Sequence, residues 1–288
     1  MQKNFIYHTS VISYRIEGKG EPVVLLHGFG EDGHIWDQQI LFLKEHCLLI
    51  IPDLPGSGKS SILSQKPVVN SLEFTGENNT TPNSKSQTPT PVSLDDYADC
   101  IHAILYEENI ACCIMLGHSM GGYISLAFAE KYPSMLSGFG LIHSTAYADS
   151  EEKKKNRERS IVTIAQYGAH AFLKNTIPNL FGAIFKKYQY AKVDNLINAA
   201  AGFTKQALQQ YYLAMTLRPD RTEVLRSNPL PVLFVIGTED VAVPLEEILQ
   251  QTSLPDKSYI HVLQDVGHMG MWEAPEEVNR FILAFIHR

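Results

Sequence analysis

Cysteine is scarce in this sequence, and its distribution suggests neither a crosslink nor a metal site. Four cysteines occur among 288 residues, at positions 47, 100, 112 and 113. Their spacing matches no metal-ligand pattern. Three of them fall in segments with the pattern of strand or helix interiors, where a free thiol behaves as a small apolar side chain. Such cysteines are typical of a reducing compartment, so we expect a cytoplasmic protein without a metal site.

A surplus of positive charge and a long apolar run are also absent. Lysine and arginine total 24 against 31 aspartate and glutamate residues, a formal net charge of -7. This balance argues against general affinity for nucleic acid or anionic membranes. No stretch approaches the roughly 18 apolar residues of a membrane span, and no apolar signal-peptide core follows the first residues. We expect a small-molecule substrate, with no nucleic acid or membrane partner; the sequence says nothing of oligomeric state.

What the sequence does contain is a series of short apolar runs. Such runs are expected of strands buried on both faces of a parallel sheet, and they occupy residues 23–26, 48–51, 112–116, 139–142, 231–236 and 259–263. Alternating apolar residues predict further strand over 4–16. Helical patterns lie between the runs, one beginning at Ser93 as N-cap with Asp96 three residues on. The alternation predicts an α/β core, a mostly parallel central sheet flanked by helices.

Two segments interrupt this alternation. Residues 147–227 are helical in pattern throughout and predict a helical cap or lid, which divides the core into parts 1–146 and 228–288. The most basic run of the chain, Lys153–Arg157, lies in this lid between glutamates and predicts a solvated helix face. Residues 64–91 are rich in Ser, Thr, Asn, Gln and Pro and predict a long polar loop. That loop either narrows the entrance of a pocket or has no role.

The pentapeptide Gly117-His118-Ser119-Met120-Gly121 follows one of the apolar runs and precedes a helical stretch that ends before Pro133. A serine on a strand-to-helix turn with small neighbours is forced to the tip of the turn. Its hydroxyl is then exposed, and the next backbone N–H points into the same space. The pattern predicts a nucleophile elbow.

A serine hydroxyl is a weak nucleophile that needs a base oriented by a carboxylate. Candidates for both follow predicted strands: Asp240 comes after the run 231–236, and His268 comes after the run 259–263. In an open parallel sheet the carboxyl ends of the strands converge on the edge where ligands bind. Glu239 and Asp265 are competing candidates for the carboxylate.

With these residues in place, the chain resembles the α/β-hydrolase fold family of serine hydrolases with a lid, over nearly its whole length. The order serine, acid, histidine along the chain fits that fold. The matching pieces, in chain order, are His27–Gly30, Asp53–Ser60, the elbow, Gly237–Pro244 and Gly267-His268.

The resemblance implies a role for each of five residues. Ser119 would be the nucleophile, His268 the general base and then acid, and Asp240 the orienting carboxylate. The backbone N–H groups of Phe29 and Met120 would form the oxyanion hole. This chemistry needs no metal or organic cofactor.

Further residues are implied as supports of this site. Glycines allow close approach of the backbone there, at positions Gly28, Gly30, Gly117 and Gly121. We expect His118 to be structural and His27 to brace the oxyanion loop. His143, which follows a core strand and precedes the lid, either lines the pocket or is structural.

Other functions compete with a serine hydrolase. Gly28-Phe29-Gly30-Glu31-Asp32-Gly33, with Asp53 further on, matches a dinucleotide-binding pattern, but that interpretation leaves Asp240 and His268 unexplained. A ligand receptor or partner-binding protein with an intact triad and little turnover is the alternative from another class.

The substrate is predicted only as a class. The lid is mostly apolar and aromatic, with few obvious charged anchors. We therefore expect a carboxylesterase-like hydrolase for a small or medium carboxylic ester with an apolar portion. A C–C bond hydrolase or a lactonase of the same fold is the alternative among enzymes.

Overall fold

One eight-stranded sheet organises the computed structural model, which describes residues 1–64 and 91–288. Its strands, β1 to β8, span Gln2–Tyr7, Ser10–Gly18, Pro22–Leu26, Leu48–Pro52, Cys113–His118, Leu136–Ile142, Val232–Gly237 and Ser258–Leu263. Their order across the sheet is β1-β2-β4-β3-β5-β6-β7-β8. The strands from β4 to β8 pair in parallel, whereas β1 with β2 and β2 with β4 are antiparallel. The mostly parallel sheet predicted from the sequence is confirmed.

The apolar runs of the sequence form the interior of this sheet. All six residues of β5 are buried, and so are all six of β7. Strands in the interior of such a sheet do not alternate apolar with polar residues, because both of their faces pack against other elements. The outer strand β8 has only one fully buried residue, Leu263.

The N-terminal strand region is a hairpin, whereas the sequence predicts strand throughout residues 4–16. In β1 and β2, Tyr7 pairs with Ser10. The turn between them contains His8, whose φ is 52°. Hairpin turns of this kind are usually marked by Gly or Asn, which adopt positive φ readily. Because neither residue type is present at this turn, the sequence carries no signal for it.

The described residues also form twelve α-helices, α1 to α12. They span Asp37–Leu43, Leu94–Glu107, Met120–Lys131, Glu151–Tyr167, Ala169–Thr176, Ala183–Tyr188, Tyr190–Ala199, Lys205–Thr216, Thr222–Ser227, Leu245–Gln251, Gly270–Glu273 and Pro275–Ile286. The predicted cap of α2 is confirmed. The Asp96 N–H donates to Ser93 Oγ at 3.3 Å, and the Ser93 N–H donates to Asp96 Oδ2 at 2.9 Å.

Six of these helices, α4 to α9, follow β6 and precede β7, within the interval 147–227 predicted as a lid. These helices, and the 3-10 turn Ile177–Leu180 between α5 and α6, touch loops at the carboxyl ends of the sheet strands. The Tyr211 hydroxyl donates to the Leu54 carbonyl at 3.3 Å, and the His268 N–H donates to the Leu180 carbonyl at 2.6 Å. The helices therefore lie over the edge where the candidate site forms. The division of the chain at 146 and 228 stays a prediction.

The predicted polar loop 64–91 falls, apart from its two end residues, outside the described residues, and so does the hypothesis about its role. In the part of the chain that the structure describes, no helix combines the length and the apolar character needed to cross a bilayer.

Candidate active site

Ser119 lies between two buried elements, the end of β5 and the start of α3. Its backbone has φ 51° and ψ -116°, a conformation that costs roughly 1–3 kcal/mol for a residue with a side chain. Two glycines make room for the turn. A Cβ at Gly121 would lie 2.5 Å from the Leu26 carbonyl oxygen, and one at Gly117 would overlap the backbone of Gly121. The local sequence therefore builds the turn that the pentapeptide predicts.

Asp240 and His268, each on a loop after its strand, meet at the same edge of the sheet. His268 Nδ1 lies 2.8 Å from Asp240 Oδ2, and the two side chains are 4% and 1% exposed. The N–H groups of Ala242 and Val243 each donate to Asp240 Oδ1 at 2.9 Å. The carboxylate is thus fixed, and its acceptor oxygen holds the proton of His268 on Nδ1. That tautomer leaves Nε2 free to accept a proton.

For each of these two groups, burial and pairing shift the pKa in opposite directions. Burial raises the pKa of Asp240, but the charge of His268 and the hydrogen bonds from His143 and His268 lower it more, and the net pKa is well below its usual range. Burial lowers the pKa of His268, but the charge of Asp240 and its hydrogen bond raise it above the ordinary value. The result is an ionised carboxylate beside a histidine of increased basicity, which suits a general base.

The two competing acids lie elsewhere. Glu239 Oε2 accepts the N–H of Ala183 at 2.6 Å. Asp265 Oδ1 accepts from the amide of Gln264 at 3.1 Å, on the surface. Neither carboxylate has a hydrogen bond or ion pair with His268 in the described part of the chain.

The two backbone donors predicted for the oxyanion hole are Phe29 and Met120. Among the described residues neither N–H has an acceptor. Met120 is fully buried and is the first residue of α3, where the helix dipole favours negative charge. Buried N–H groups without acceptors are rare in folded proteins. These two donors are therefore available for a developing oxyanion.

A buried network, which the sequence did not reveal, joins the loop of residues 28–31 to the turn at Ser119 and to the His268 loop. Glu31 Oε2 accepts the Gly28 N–H at 2.7 Å and lies 2.9 Å from His118 Nδ1. His118 Nε2 lies 2.9 Å from the His268 carbonyl oxygen. Both nitrogens of His118 thus face acceptors, so the ring links the Glu31 carboxylate to the backbone of His268. The structural role expected of His118 takes the form of this bridge.

Electrostatics keeps Glu31 ionised in that network. Burial raises its pKa, but the charge and hydrogen bond of His118 and the N–H of Gly28 lower it more, so the net pKa is below the ordinary value. In the sequence, Glu31 appears only as a variable position of the dinucleotide-like pattern. Its partner is 87 residues away, so spacing carried no signal for the pair.

His143 is buried behind the candidate triad and is not among the residues that line its cavity. Its Nδ1 lies 3.1 Å from Asp240 Oδ2, the same oxygen that His268 contacts. Burial is the main cause that lowers the pKa of His143, to about 4, so the ring is neutral and donates from Nδ1. Its Nε2 is buried without a partner in the described residues. Gly270 leaves the space that this nitrogen occupies, because any Cβ there would overlap it.

One group of side chains meets the geometry of a metal site among the described residues: His143, Asp240 and His268, whose donor atoms lie within 4.8 Å of one another. In this group the Nδ1 atoms of both histidines are engaged with one oxygen of Asp240.

His27 braces the loop that carries Phe29, as expected. Its Nε2 accepts the Leu54 N–H at 2.9 Å and lies 2.8 Å from the Ser57 hydroxyl. The other nitrogen, Nδ1, therefore carries the proton and donates to the Gly28 carbonyl at 2.8 Å. Gly30 has φ 71° and packs under Leu173 of the lid, so the loop depends on glycine there.

Ser119 and His268 line one cavity of about 150 Å³, which is small beside the roughly 300–1,000 Å³ of sites for drug-sized ligands. Its other lining residues are Phe29, Glu31, Tyr123, Arg157, Leu180, Tyr212, Met215, Ala242 and Val243. Most are apolar or aromatic, as the lid sequence indicated. The prediction of a solvated helix face is wrong for Arg157, because its side chain turns inward to Asp149 and is 18% exposed.

This fold and this site define a class, an α/β protein with a sharp strand-to-helix turn and an acid–histidine pair at the carboxyl edge of its sheet. The chain belongs to the alpha/beta hydrolase family, whose model matches residues 23–281. The resemblance and fold class inferred from the sequence are thereby confirmed, and the protein is a hydrolase.

The proteins that this chain resembles are named for different activities. The chain is 27% identical over 271 residues to the dihydrolipoyllysine-residue acetyltransferase component of the acetoin cleaving system of Pseudomonas putida, covering 93% of this chain but only 64% of that protein. It is 25% identical over 288 residues to the 2-hydroxy-6-oxo-6-(2'-aminophenyl)hexa-2,4-dienoic acid hydrolase of Metapseudomonas resinovorans, covering 96% and 87%. Among solved structures, a thermophilic esterase from Thermogutta terrifontis superposes with a TM-score of 0.86 at 25% identity, covering 100% and 98%.

Proposed function

We propose that this protein is a serine hydrolase that cleaves a small or medium carboxylic ester through an acyl-enzyme. Ser119 is the nucleophile, His268 the general base and acid, and Asp240 the carboxylate that orients His268. The observation that carries the proposal is the buried 2.8 Å contact between Asp240 and His268, made beside a cavity that His268 shares with Ser119.

The proposed reaction runs in two halves. In the first, His268 Nε2 takes the proton of Ser119 as Oγ attacks the ester carbonyl, and the N–H groups of Phe29 and Met120 stabilise the oxyanion. His268 then protonates the departing alcohol, which leaves an acyl group on Ser119. In the second half, His268 activates a water molecule that releases the acid and restores Ser119.

The lining of the cavity supports an ester with an apolar portion. Phe29, Leu180, Met215 and Val243 offer apolar surface beside Ser119. Burial of such a group contributes about 0.8 kcal/mol of binding free energy per methylene. The small volume of the cavity excludes longer chains.

A chain-length panel of p-nitrophenyl esters tests the proposal. We expect multiple turnovers by the wild type and a loss of roughly 10³-fold or more in Ser119→Ala. Ser253→Ala, at an exposed position, is the matched control and retains full activity. Mass spectrometry of the quenched reaction should find an acyl group on Ser119. Equal rates in wild type and Ser119→Ala would contradict the mechanism.

A C–C bond hydrolase is the second candidate. It is favoured by the relative named as a 2-hydroxy-6-oxo-6-(2'-aminophenyl)hexa-2,4-dienoic acid hydrolase, and the same nucleophile and base serve it. A dienoate of that type and a lactone belong in the same panel, and the higher kcat/KM identifies the substrate class. A single burst without turnover on all of them would favour a ligand receptor instead.

A further inference from the structure

Arg157 differs from its neighbours on α4. Arg159, two residues on, is exposed, whereas the side chain of Arg157 lines the cavity together with Ser119 and His268. Its Nε donates to Asp149, and its Nη2 lies 3.3 Å from the other oxygen of that carboxylate. A guanidinium group therefore forms part of the wall around the candidate nucleophile.

Asp149 serves two guanidinium groups at once. Arg218 Nη1 lies 2.9 Å from Asp149 Oδ1, and the carboxylate is fully buried. Arg218 has acceptors of its own in addition, the carbonyl oxygens of Tyr147 and Met215 at 3.2 and 3.1 Å. Two positive charges thus share one negative charge. Asp149 would stay paired with Arg218 if Arg157 were absent.

No other acid on the cavity wall balances the second charge. Of the described residues that line the cavity, Glu31 is the only acid, and it is engaged by His118 and by the N–H of Gly28. A largely buried charge without its own counter-ion is costly. An anionic ligand in the cavity would relieve that cost.

Arg157 is also held in position for such a ligand. Its guanidinium lies 5.5 Å from the ring centre of Tyr212, and Tyr212 stacks on Phe29 with centroids 4.2 Å apart. Among the described residues Nη1 has no acceptor. A guanidinium held over an aromatic ring and paired with one acid keeps its remaining donors preorganised for a carboxylate.

We propose that the substrate is a small ester that carries a second, free carboxylate, bound by Arg157 while Ser119 attacks the ester. This inference rests on the proposed function and narrows it. The apolar lining residues contact the hydrocarbon that separates the two groups. The cavity of about 150 Å³ limits that spacer to a short chain.

Matched substrate pairs test the proposal. Monoethyl esters of succinate, glutarate and adipate are each compared with the ethyl ester of the monoamide of the same diacid, in which a neutral amide of similar shape replaces the free carboxylate. The readout is the ratio of kcat/KM, acid over amide, measured by titration of released acid. We expect the wild type to favour at least one acid by roughly 10- to 100-fold, the range that a charge-assisted hydrogen bond contributes.

Variants then assign the preference to Arg157. In Arg157→Met the ratio should fall to about one or below, and in Arg157→Lys it should be intermediate, since lysine keeps the charge but loses the planar fork. Arg159→Met, on the same helix, should keep the wild-type ratio. A purely structural Arg157 would lower both rates equally and leave the ratio unchanged, and that result would overturn the proposal, as would a wild-type ratio at or below one.

Binding separates this proposal from the proposed function. Calorimetric titration of Ser119→Ala with glutarate and adipate, and with their diamides, needs no turnover. Tighter binding of a diacid that disappears in the Ser119→Ala, Arg157→Met double variant supports the anion site even if no ester is hydrolysed. If Ser119-dependent hydrolysis is found but diacids bind no better than diamides, the proposed function stands and the carboxylate site fails.

Discussion

At the scale of single residues, Asp240 Oδ2 is the common acceptor of two imidazole rings. His268 contacts it at 2.8 Å and His143 at 3.1 Å. His143 is neutral above a pKa of about 4, so it adds a hydrogen bond without adding charge. Each donor reduces the negative charge available to the other. His143 therefore limits how far Asp240 raises the pKa of His268. Because it acts through Asp240, His143 is a positioning residue.

This arrangement predicts the pH dependence of the proposed reaction. His268 acts as a base only when neutral, and its pKa is raised, so kcat/KM should rise with pH through an apparent pKa above about 6.5. In His143→Phe, Asp240 keeps more negative charge for the His268 cation, so the acid limb of the profile should move to higher pH. The measurement is the pH profile of kcat/KM.

An exposed histidine of the lid gives the control for that experiment. His170 is exposed, so His170→Phe should leave the profile where it is. A profile of His143→Phe that stays unchanged, or that moves to lower pH, would contradict the role assigned to His143.

At the scale of elements, the turn from β5 to α3 depends on how closely the helix approaches the sheet. Gly121 is the contact point, because a Cβ there would lie 2.5 Å from the Leu26 carbonyl oxygen and 2.8 Å from that of His27. Both atoms belong to backbone, which cannot move aside without disturbing β3 and the oxyanion loop. The packing of one helix thus sets the distance between the proposed nucleophile and the proposed oxyanion donors.

We expect Gly121→Ala to lower the free energy of unfolding by about 1–3 kcal/mol, as overpacking in a close-packed interior does, and to reduce activity further by displacing Ser119. Denaturant unfolding and the ester assay measure the two effects. Gly202→Ala is the matched control, because a Cβ at Gly202 meets nothing within 4 Å. Equal stability of the two variants would contradict the packing argument.

At the scale of the whole molecule, the Glu31–His118 pair fastens three distant segments, and its loss should be felt in global stability. Breaking a buried pair typically costs about 3–5 kcal/mol, so Glu31→Gln should destabilise the protein by about 3 kcal/mol at pH 7. The folded pKa of Glu31 is lowered, so its contribution is complete above the unfolded pKa of about 4.3 and is lost as pH falls further.

Denaturant unfolding at a series of pH values measures this contribution. The difference between wild type and Glu31→Gln should be largest near neutral pH and should shrink below about pH 4.3. Glu246→Gln, at an exposed position, should match the wild type throughout. A difference that stays constant with pH would mean that the charge of Glu31 has no part in the stability.

The features that the sequence predicted depend on residues a few positions apart. The features that it missed depend on residues far apart along the chain. The buried strands, the cap at Ser93 and the turn at Ser119 follow from local patterns of a few residues. The direction of Arg157 depends on where the fold places Asp149 and Arg218, and the helical pattern of α4 does not contain that information. The Glu31–His118 pair spans 87 residues. Long-range pairing of polar groups is decided by the completed fold, so periodicity and spacing could not predict it.

The bond from the His268 N–H to the Leu180 carbonyl has a consequence for the timing of the reaction cycle. Leu180 belongs to the helical segment between β6 and β7, so the backbone of the proposed base is fastened to the cover of its own cavity at 2.6 Å. A movement of that segment that admits substrate also pulls on the residue that must accept the proton. Substrate entry and proton transfer would then occur at different times, so the proposed acyl-enzyme would be protected and ligands would exchange more slowly.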